Sequence, residues 1–203
     1  MEEWHITLLG ADFVGKTNLC RRVPGFRSQP HVRETHTPKF CGQAFHSELS
    51  DPTIEDIYRQ QKIVDSKPCL VDATRSLNDW TLGGPELYIR RGKAFLLVYS
   101  VSSRATFDGL DIFWQAIRRI KEDDSVPLIL LGNKCDDALG REVAMEEGAA
   151  LARKHGCPFL EVSAKTNINV ERAFADLVRL LRPDVIEVAP LKKPKRLKKC
   201  IIF

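Results

Sequence analysis

The chain has 203 residues, 43% apolar and 29% charged, which suits one domain with tails, allows a full core and excludes wholesale disorder. Its net charge of +4 is uneven: Lys192, Lys193, Lys195, Arg196, Lys198 and Lys199 crowd the end, and without them 25 basic residues face 27 acidic ones, a net of −2. A basic tail on a slightly acidic domain argues against a nucleic-acid-binding face and for an electrostatic appendage.

Ile6-Thr-Leu-Leu9 reads as a strand. It runs into Gly10-Ala11-Asp12-Phe13-Val14-Gly15-Lys16-Thr17, a G-x-x-x-x-G-K-T phosphate-binding loop in the strand-to-helix context that the motif requires. The glycines let the backbone wrap closely, so that successive N–H groups face one anion, and the following helix start adds partial positive charge. Lys16 can reach the β- and γ-phosphates, and the Thr17 hydroxyl can ligate Mg²⁺. Pro24-Gly25 stops the helix after about two turns. Residues 26–44, with Pro30, Pro38 and Gly42, show no period and read as a loop long for a compact domain. Asp51-Pro52-Thr53-Ile54-Glu55-Asp56 opens with a turn signal and leads into a half-buried strand, Tyr58–Val64. Asp65-Ser66 make a turn, Cys69–Asp72 a short return strand, and 73–85 a loop.

Lys93–Ser100 is a continuous apolar run, the mark of a strand buried on both faces. Ser103 is placed to cap a helix carrying Phe107, Leu110, Phe113, Ile117 and Ile120. Pro127–Gly132 is a second buried strand, a helix runs from Val143 to His155, and Pro158–Val162 is the last strand. Val170–Leu181 is amphipathic, and Pro183 ends it. Strands alternating with helices predict an open, mostly parallel α/β sheet, which binds ligands beyond the carboxyl ends of its strands. Each motif falls there: the phosphate loop, Asn133-Lys134-Cys135-Asp136, and Ser163-Ala164-Lys165.

The second of these motifs has the chemistry for guanine. The Asp136 carboxylate can accept hydrogen bonds from the N1–H and 2-amino groups, which adenine lacks there, leaving Asp136 buried and unpaired. Asn133 can hold the base edge or tie neighbouring loops, the Lys134 stem can cover the base face, and the 163–165 segment can offer a backbone N–H to the guanine carbonyl oxygen.

On the phosphate loop, Asp51–Asp56, Phe95–Tyr99, Gly132–Asp136, Glu161–Lys165 and the ending Cys200-Ile-Ile-Phe203, the sequence resembles the Ras family of small GTPases over 1–24 and 45–203. The resemblance implies the P-loop three-layer sandwich around a mostly parallel six-stranded sheet, formed by residues 1–182. It implies GTP/GDP as ligand with Mg²⁺, and effectors, exchange factors and GTPase-activating proteins as partners. It makes Asp51–Asp56 an effector switch, with Thr53 closing on the γ-phosphate and Mg²⁺, and Phe45 stacking on the guanine.

Four departures bear on mechanism. Asp12 and Phe13 stand where Ras has two glycines, beside the site of the attacking water, and Asp12 adds negative charge where the reaction must stabilise it. After Cys69–Asp72 the family's Asp-Thr-Ala-Gly-Gln is missing: the chain reads Ala-Thr-Arg-Ser-Leu-Asn-Asp-Trp, and no glutamine lies between Asp72 and Tyr88. Asp72 is carried over as the Mg²⁺-side carboxylate on a realignment of a few residues; Asn78 and Asp79 fit less well. Residues 26–44 are either an insertion beside the first switch, or a disordered segment or translated intron.

The tail, 183–203, ends in a C-a-a-X sequence whose terminal Phe leans toward geranylgeranylation of Cys200. One lipid binds membranes marginally, and the six basic residues supply a second signal toward an anionic leaflet. The six cysteines form no C-x-x-C and follow no signal peptide, so they are expected to be reduced, and no apolar run is long enough to span a bilayer. The combined expectation is a Ras-type guanine-nucleotide switch on the cytoplasmic face of the plasma membrane, with slow hydrolysis. A GTP-bound scaffold without turnover, a chain unable to hold Mg²⁺, and a P-loop kinase acting on ATP are the other readings.

Overall fold

The computed structural model describes residues 2–23, 27–30, 56–75, 84–123 and 125–182. Phe45, Asp51, Pro52, Thr53, Ile54, Glu55, Asn78, Asp79 and Cys200 lie outside them, and of Asp56 only the backbone is described.

In chain order the elements are β1 (Glu2–Leu9), α1 (Lys16–Arg22), β2 (Arg27–Pro30), β3 (Asp56–Val64), β4 (Lys67–Arg75), α2 (Gly84–Arg91) and β5 (Ala94–Ser100). There follow α3 (Arg104–Asp108), α4 (Leu110–Lys121), β6 (Leu128–Asn133), α5 (Met145–His155), β7 (Phe159–Glu161) and α6 (Val170–Leu181). One sheet takes them in the order β2-β3-β4-β1-β5-β6-β7. Strands β4 to β7 run parallel to β1, β3 alone is reversed, and β2, antiparallel to β3, runs in the direction of β1 again. The six expected strands are present, and the α/β fold class holds. A short seventh strand, β2, pairs with β3 from within the segment read as a loop.

Alternation along β5 explains its unbroken apolar run. Leu96 and Val98 face a core shared with Leu19 and Cys20 of α1 and Phe174, Leu177 and Val178 of α6. Phe95, Leu97 and Tyr99 face the opposite core with Ile89 of α2, Phe113, Trp114 and Ile117 of α4, and Ala152 of α5. A strand covered on both faces has no use for polar side chains, and all seven of its residues are buried.

Three expectations need adjustment. The helix after Ser103 breaks at Gly109 into α3 and α4, and the Ser103 side chain makes no capping bond. The loop read over 73–85 is shorter, because β4 continues to Arg75 and α2 begins at Gly84. Strand β4 is therefore nine residues long, which decides what its end presents to the phosphate loop.

The β3–β4 turn, Asp65-Ser66, has both residues at positive φ (51° and 63°), a conformation that costs an L-residue energy. Helix α6 grips it. Arg179 donates Nε to Asp65 Oδ2 and Nη2 to Oδ1, both at 2.9 Å. Arg182, 4% exposed, donates to the carbonyls of Val64 (2.7 Å) and Lys67 (3.3 Å).

Candidate nucleotide site

The parallel strands present their carboxyl ends at one edge, where the loops after β1, β6 and β7 converge. Gly10 closes the approach of the first loop to β5. At φ 140°, a Cβ there would lie 2.0 Å from the Val98 carbonyl oxygen, so only glycine fits. Gly15 (φ 95°) has Asn133 Nδ2 2.4 Å from where its Cβ would stand. The glycine spacing is thus set by a neighbour on each side of the loop.

Asn133 resolves the two roles open to it: it ties loops. Its Nδ2 donates to the Val14 carbonyl at 2.7 Å, and its Oδ1 accepts from the Ala164 N–H at 3.2 Å. One buried side chain thereby joins the loops after β1, β6 and β7. Of the 163–165 backbone N–H groups that sequence reasoning offers to a ligand, that of Ser163 donates to the Ile168 carbonyl and that of Ala164 to Asn133. Asp136 Oδ1 accepts from the buried Ser163 hydroxyl at 2.6 Å, and the Lys165 ammonium stands 4.0 Å from Oδ2. Below them, Arg141 holds Glu161 with two bonds of 2.6 and 2.9 Å, fastening the 137–143 loop to the end of β7. Asn133, Asp136, Ser163, Ala164 and Lys165 therefore form one cluster, with Lys134 (φ 65°) in the turn between the first two, and its donors and acceptors fit a guanine edge: a fixed carboxylate at one point, hydrogen-bonded backbone around it.

The phosphate side is built differently. Lys16 is 7% exposed and curls over the loop, its Nζ donating to the carbonyls of Gly10 (2.6 Å) and Ala11 (2.8 Å). Burial pulls its pKa down to about 8; Asp12 opposes that shift and Arg75 adds to it. Asp12 and Phe13 are exposed, Phe13 to 90%, and Phe13 sits at φ 61°. Both side chains are exposed at the loop. Val14 is buried in the core beneath, and Thr17 lies on the first turn of α1.

Asp72 does not join this site, and the expectation that it ligates Mg²⁺ is corrected. It lies mid-strand, paired with His5 of β1 rather than at the loop end. Alternation turns it away from the face on which Cys69, Val71 and Ala73 pack with α1. Its carboxylate is taken: Arg59 Nε donates to Oδ1 at 2.6 Å and Nη2 to Oδ2 at 2.5 Å, with His5 Nδ1 3.5 Å from Oδ2. Glu3, His5 and Asp72 bring potential ligand atoms within 4.8 Å of one another, but the Arg59 guanidinium contacts Glu3 and Asp72 and supplies the positive charge that an ion would bring.

The residue that does stand at the end of β4 on the α1 face is Arg75, which sequence reasoning passed over. It pairs with Leu8, just before the phosphate loop opens, and is 9% exposed. With a guanidinium there and Asp72 engaged elsewhere, Thr17 is the member of the expected Mg²⁺ set that the described residues keep at the loop, and the end of β4 offers no carboxylate beside it.

The profile of the Ras family matches residues 5–183. That span takes in the loop, the base cluster and the whole sheet bar the first residues of β1 and the edge of the tail, and the chain belongs to the Ras family, whose members are small GTP-binding switches.

Proposed function

We propose that this protein is a membrane-anchored guanine-nucleotide switch that hydrolyses GTP slowly and so remains long in its GTP state. The observation that supports slow turnover is the pair Asp12 and Phe13, both exposed at the loop. An attacking water and the donors that would orient it need the space over the γ-phosphate, and an aromatic ring and a carboxylate compete for it. The sequence adds that no glutamine between Asp72 and Tyr88 is available to orient that water.

Preference for guanine rests on Asp136, positioned by Ser163 within a cluster that Asn133 locks to the phosphate loop. Thr53 and Phe45 are proposed to close on the γ-phosphate and the base, and Asp51–Asp56 to meet effectors. Cys200, prenylated and backed by the six basic residues before it, is proposed to hold the protein at the cytoplasmic face of the plasma membrane. No helix among the described residues is long and apolar enough to cross a membrane.

A scaffold that never turns over is the second reading, and the same Asp12 and Phe13 favour it. One experiment separates the readings: denature protein purified without added nucleotide and identify what is released. GTP, slowly replaced by GDP in a single-turnover assay, is the expected result. GTP that never becomes GDP supports the scaffold. GDP alone, with a rapid single turnover, overturns slow hydrolysis, and adenine nucleotide overturns the guanine reading. Cys200→Ser is expected to move the protein from the membrane to the soluble fraction; retention at the membrane overturns the anchor.

A further inference from the structure

The end of β4 beside the phosphate loop carries a positive charge where a metal site needs oxygen ligands. Arg75 shares its face of the strand with Cys69, Val71 and Ala73, which pack against Leu19 and Cys20 of α1. Its partner across the sheet is Leu8, and Gly10 follows almost at once. Arg75 and Lys16 are 9% and 7% exposed, so two cations are buried at the foot of one loop. Burial does most to disfavour the Lys16 ammonium; Asp12 opposes that, and the Arg75 guanidinium adds to it to a smaller extent. A polyanion seated in the loop is attracted by both cations.

A guanidinium also has the right shape for the task. It presents five N–H donors in a planar fork that matches phosphate oxygens two at a time, and it stays charged at any working pH. Unlike an ion, it is covalently fixed and does not leave when the free metal concentration falls.

We propose that Arg75 takes the place of Mg²⁺ in this protein, neutralising the phosphates of the bound guanine nucleotide directly, so that nucleotide is held without a divalent ion. The proposal rests on the nucleotide-binding reading above. It also deepens that reading's account of slow hydrolysis, since a monovalent fork offers less charge than a dication to the oxygens on which negative charge builds.

The test uses the full chain and fluorescent GDP and GTP, titrated to equilibrium in buffer with Mg²⁺ and in buffer with excess EDTA. The two affinities are expected to agree within about threefold. Arg75→Gln, checked for folding by its unfolding temperature without nucleotide, is expected to lose affinity about ten- to a hundredfold in both buffers, the loss of charged hydrogen bonds. Arg75→Asp, which places a carboxylate at the same spot, is expected to bind in Mg²⁺ and to release nucleotide in EDTA. Should either substitution prevent folding, the two buffers with the natural chain still decide. A natural chain whose affinity falls more than about tenfold in EDTA overturns the proposal and leaves the nucleotide reading standing. Equal binding of fluorescent ATP in both buffers, with none of the guanine nucleotides, overturns the guanine reading and leaves the role of Arg75 intact. No binding of any nucleotide in either buffer overturns both.

Discussion

The two sides of the nucleotide cleft solve their problems by different physics. On the base side, Asn133, Asp136, Ser163 and Ala164 are joined by short hydrogen bonds, each between a named donor and a named acceptor. On the phosphate side, two buried cations and an exposed aromatic ring surround the loop, and Lys16 bonds to its backbone carbonyls. Hydrogen bonds are directional and fail with a small displacement, whereas charge acts over several ångströms and accepts more than one bearer. The base side therefore tolerates little change, and the phosphate side can exchange its positive charge from an ion to an arginine. The resemblance to the family is accordingly closest at the base and weakest at the metal.

If that contrast is right, the largest effect belongs to the base side. Asn133→Ala removes the bonds to the Val14 carbonyl and the Ala164 N–H together, leaving two buried groups unpaired at a cost of about 2–5 kcal/mol in stability. Chemical denaturation measures it, and nucleotide affinity should fall in parallel, because the loops after β1 and β7 lose their shared anchor. A loss below about 1 kcal/mol would mean that backbone contacts alone hold the loops.

On the phosphate side the handle is pH. Lys16 in the ligand-free fold loses its proton near 8, well under its ordinary 10.5. Bound phosphates favour the charged form, so binding takes up a proton above that point. Affinity for fluorescent GDP is then expected to fall as pH rises from 7 through 9, approaching about tenfold per unit above 8. The sign is opposite for ligand-free stability. The unfolded chain holds the Lys16 proton more tightly than the fold does, so this group's contribution to stability rises with pH between about 8 and 10.5.

Next in size is Asp72→Asn, which asks whether the metal side has moved. Losing the charge and one of the two acceptors for Arg59, a side chain itself 41% exposed, should cost about 1–2 kcal/mol of stability. Nucleotide affinity in Mg²⁺ should stay within about twofold, since Asp72 lies mid-strand and away from the loop. A large loss of affinity with unchanged stability would return Asp72 to the metal.

How legible all this was depends on how local the chemistry is. The phosphate loop, the guanine motif and Ser163–Lys165 are contiguous, and each follows a strand whose apolar run marks it. Helix α6 was readable to the residue because its apolar face repeats cleanly to Pro183. Arg75 was missed because β4 was ended at Asp72, and a polar end to a buried strand looks like a loop. The signal was nevertheless present. With Asp65-Ser66 as a two-residue turn, Val64 pairs with Lys67, and counting back pairs Arg59 with Asp72. That pairing gives Asp72 a basic partner and puts Cys69, Val71, Ala73 and Arg75 on the opposite face. Strand β2 could not be read, because four residues with Pro at the end have no period of their own and exist only by pairing with β3. Helix α2 opens with Gly-Pro, which reads as a turn until the helix behind it is seen.

The smallest expected effect is Phe13→Gly, and it tests the phosphate side where the family has glycine. At φ 61° the Phe13 backbone pays a steric cost of about 1–2 kcal/mol that glycine does not, while glycine gives back about 0.5–1 kcal/mol through the freedom it gains in the unfolded chain. The ring is 90% exposed, so little burial is forfeited by removing it. The net is a stabilisation of about 0.5 kcal/mol, or a degree or two in thermal midpoint for a chain of this size. A natural sequence that keeps a strained, solvated aromatic at the mouth of its nucleotide loop does so against its own stability, which directs attention to the ring's outward face. Single-turnover hydrolysis of the same variant separates two roles for that face. If the ring crowds the attacking water, Phe13→Gly is both more stable and faster. If the rate is unchanged while stability rises, Asp12 and the missing glutamine are what slow the chemistry.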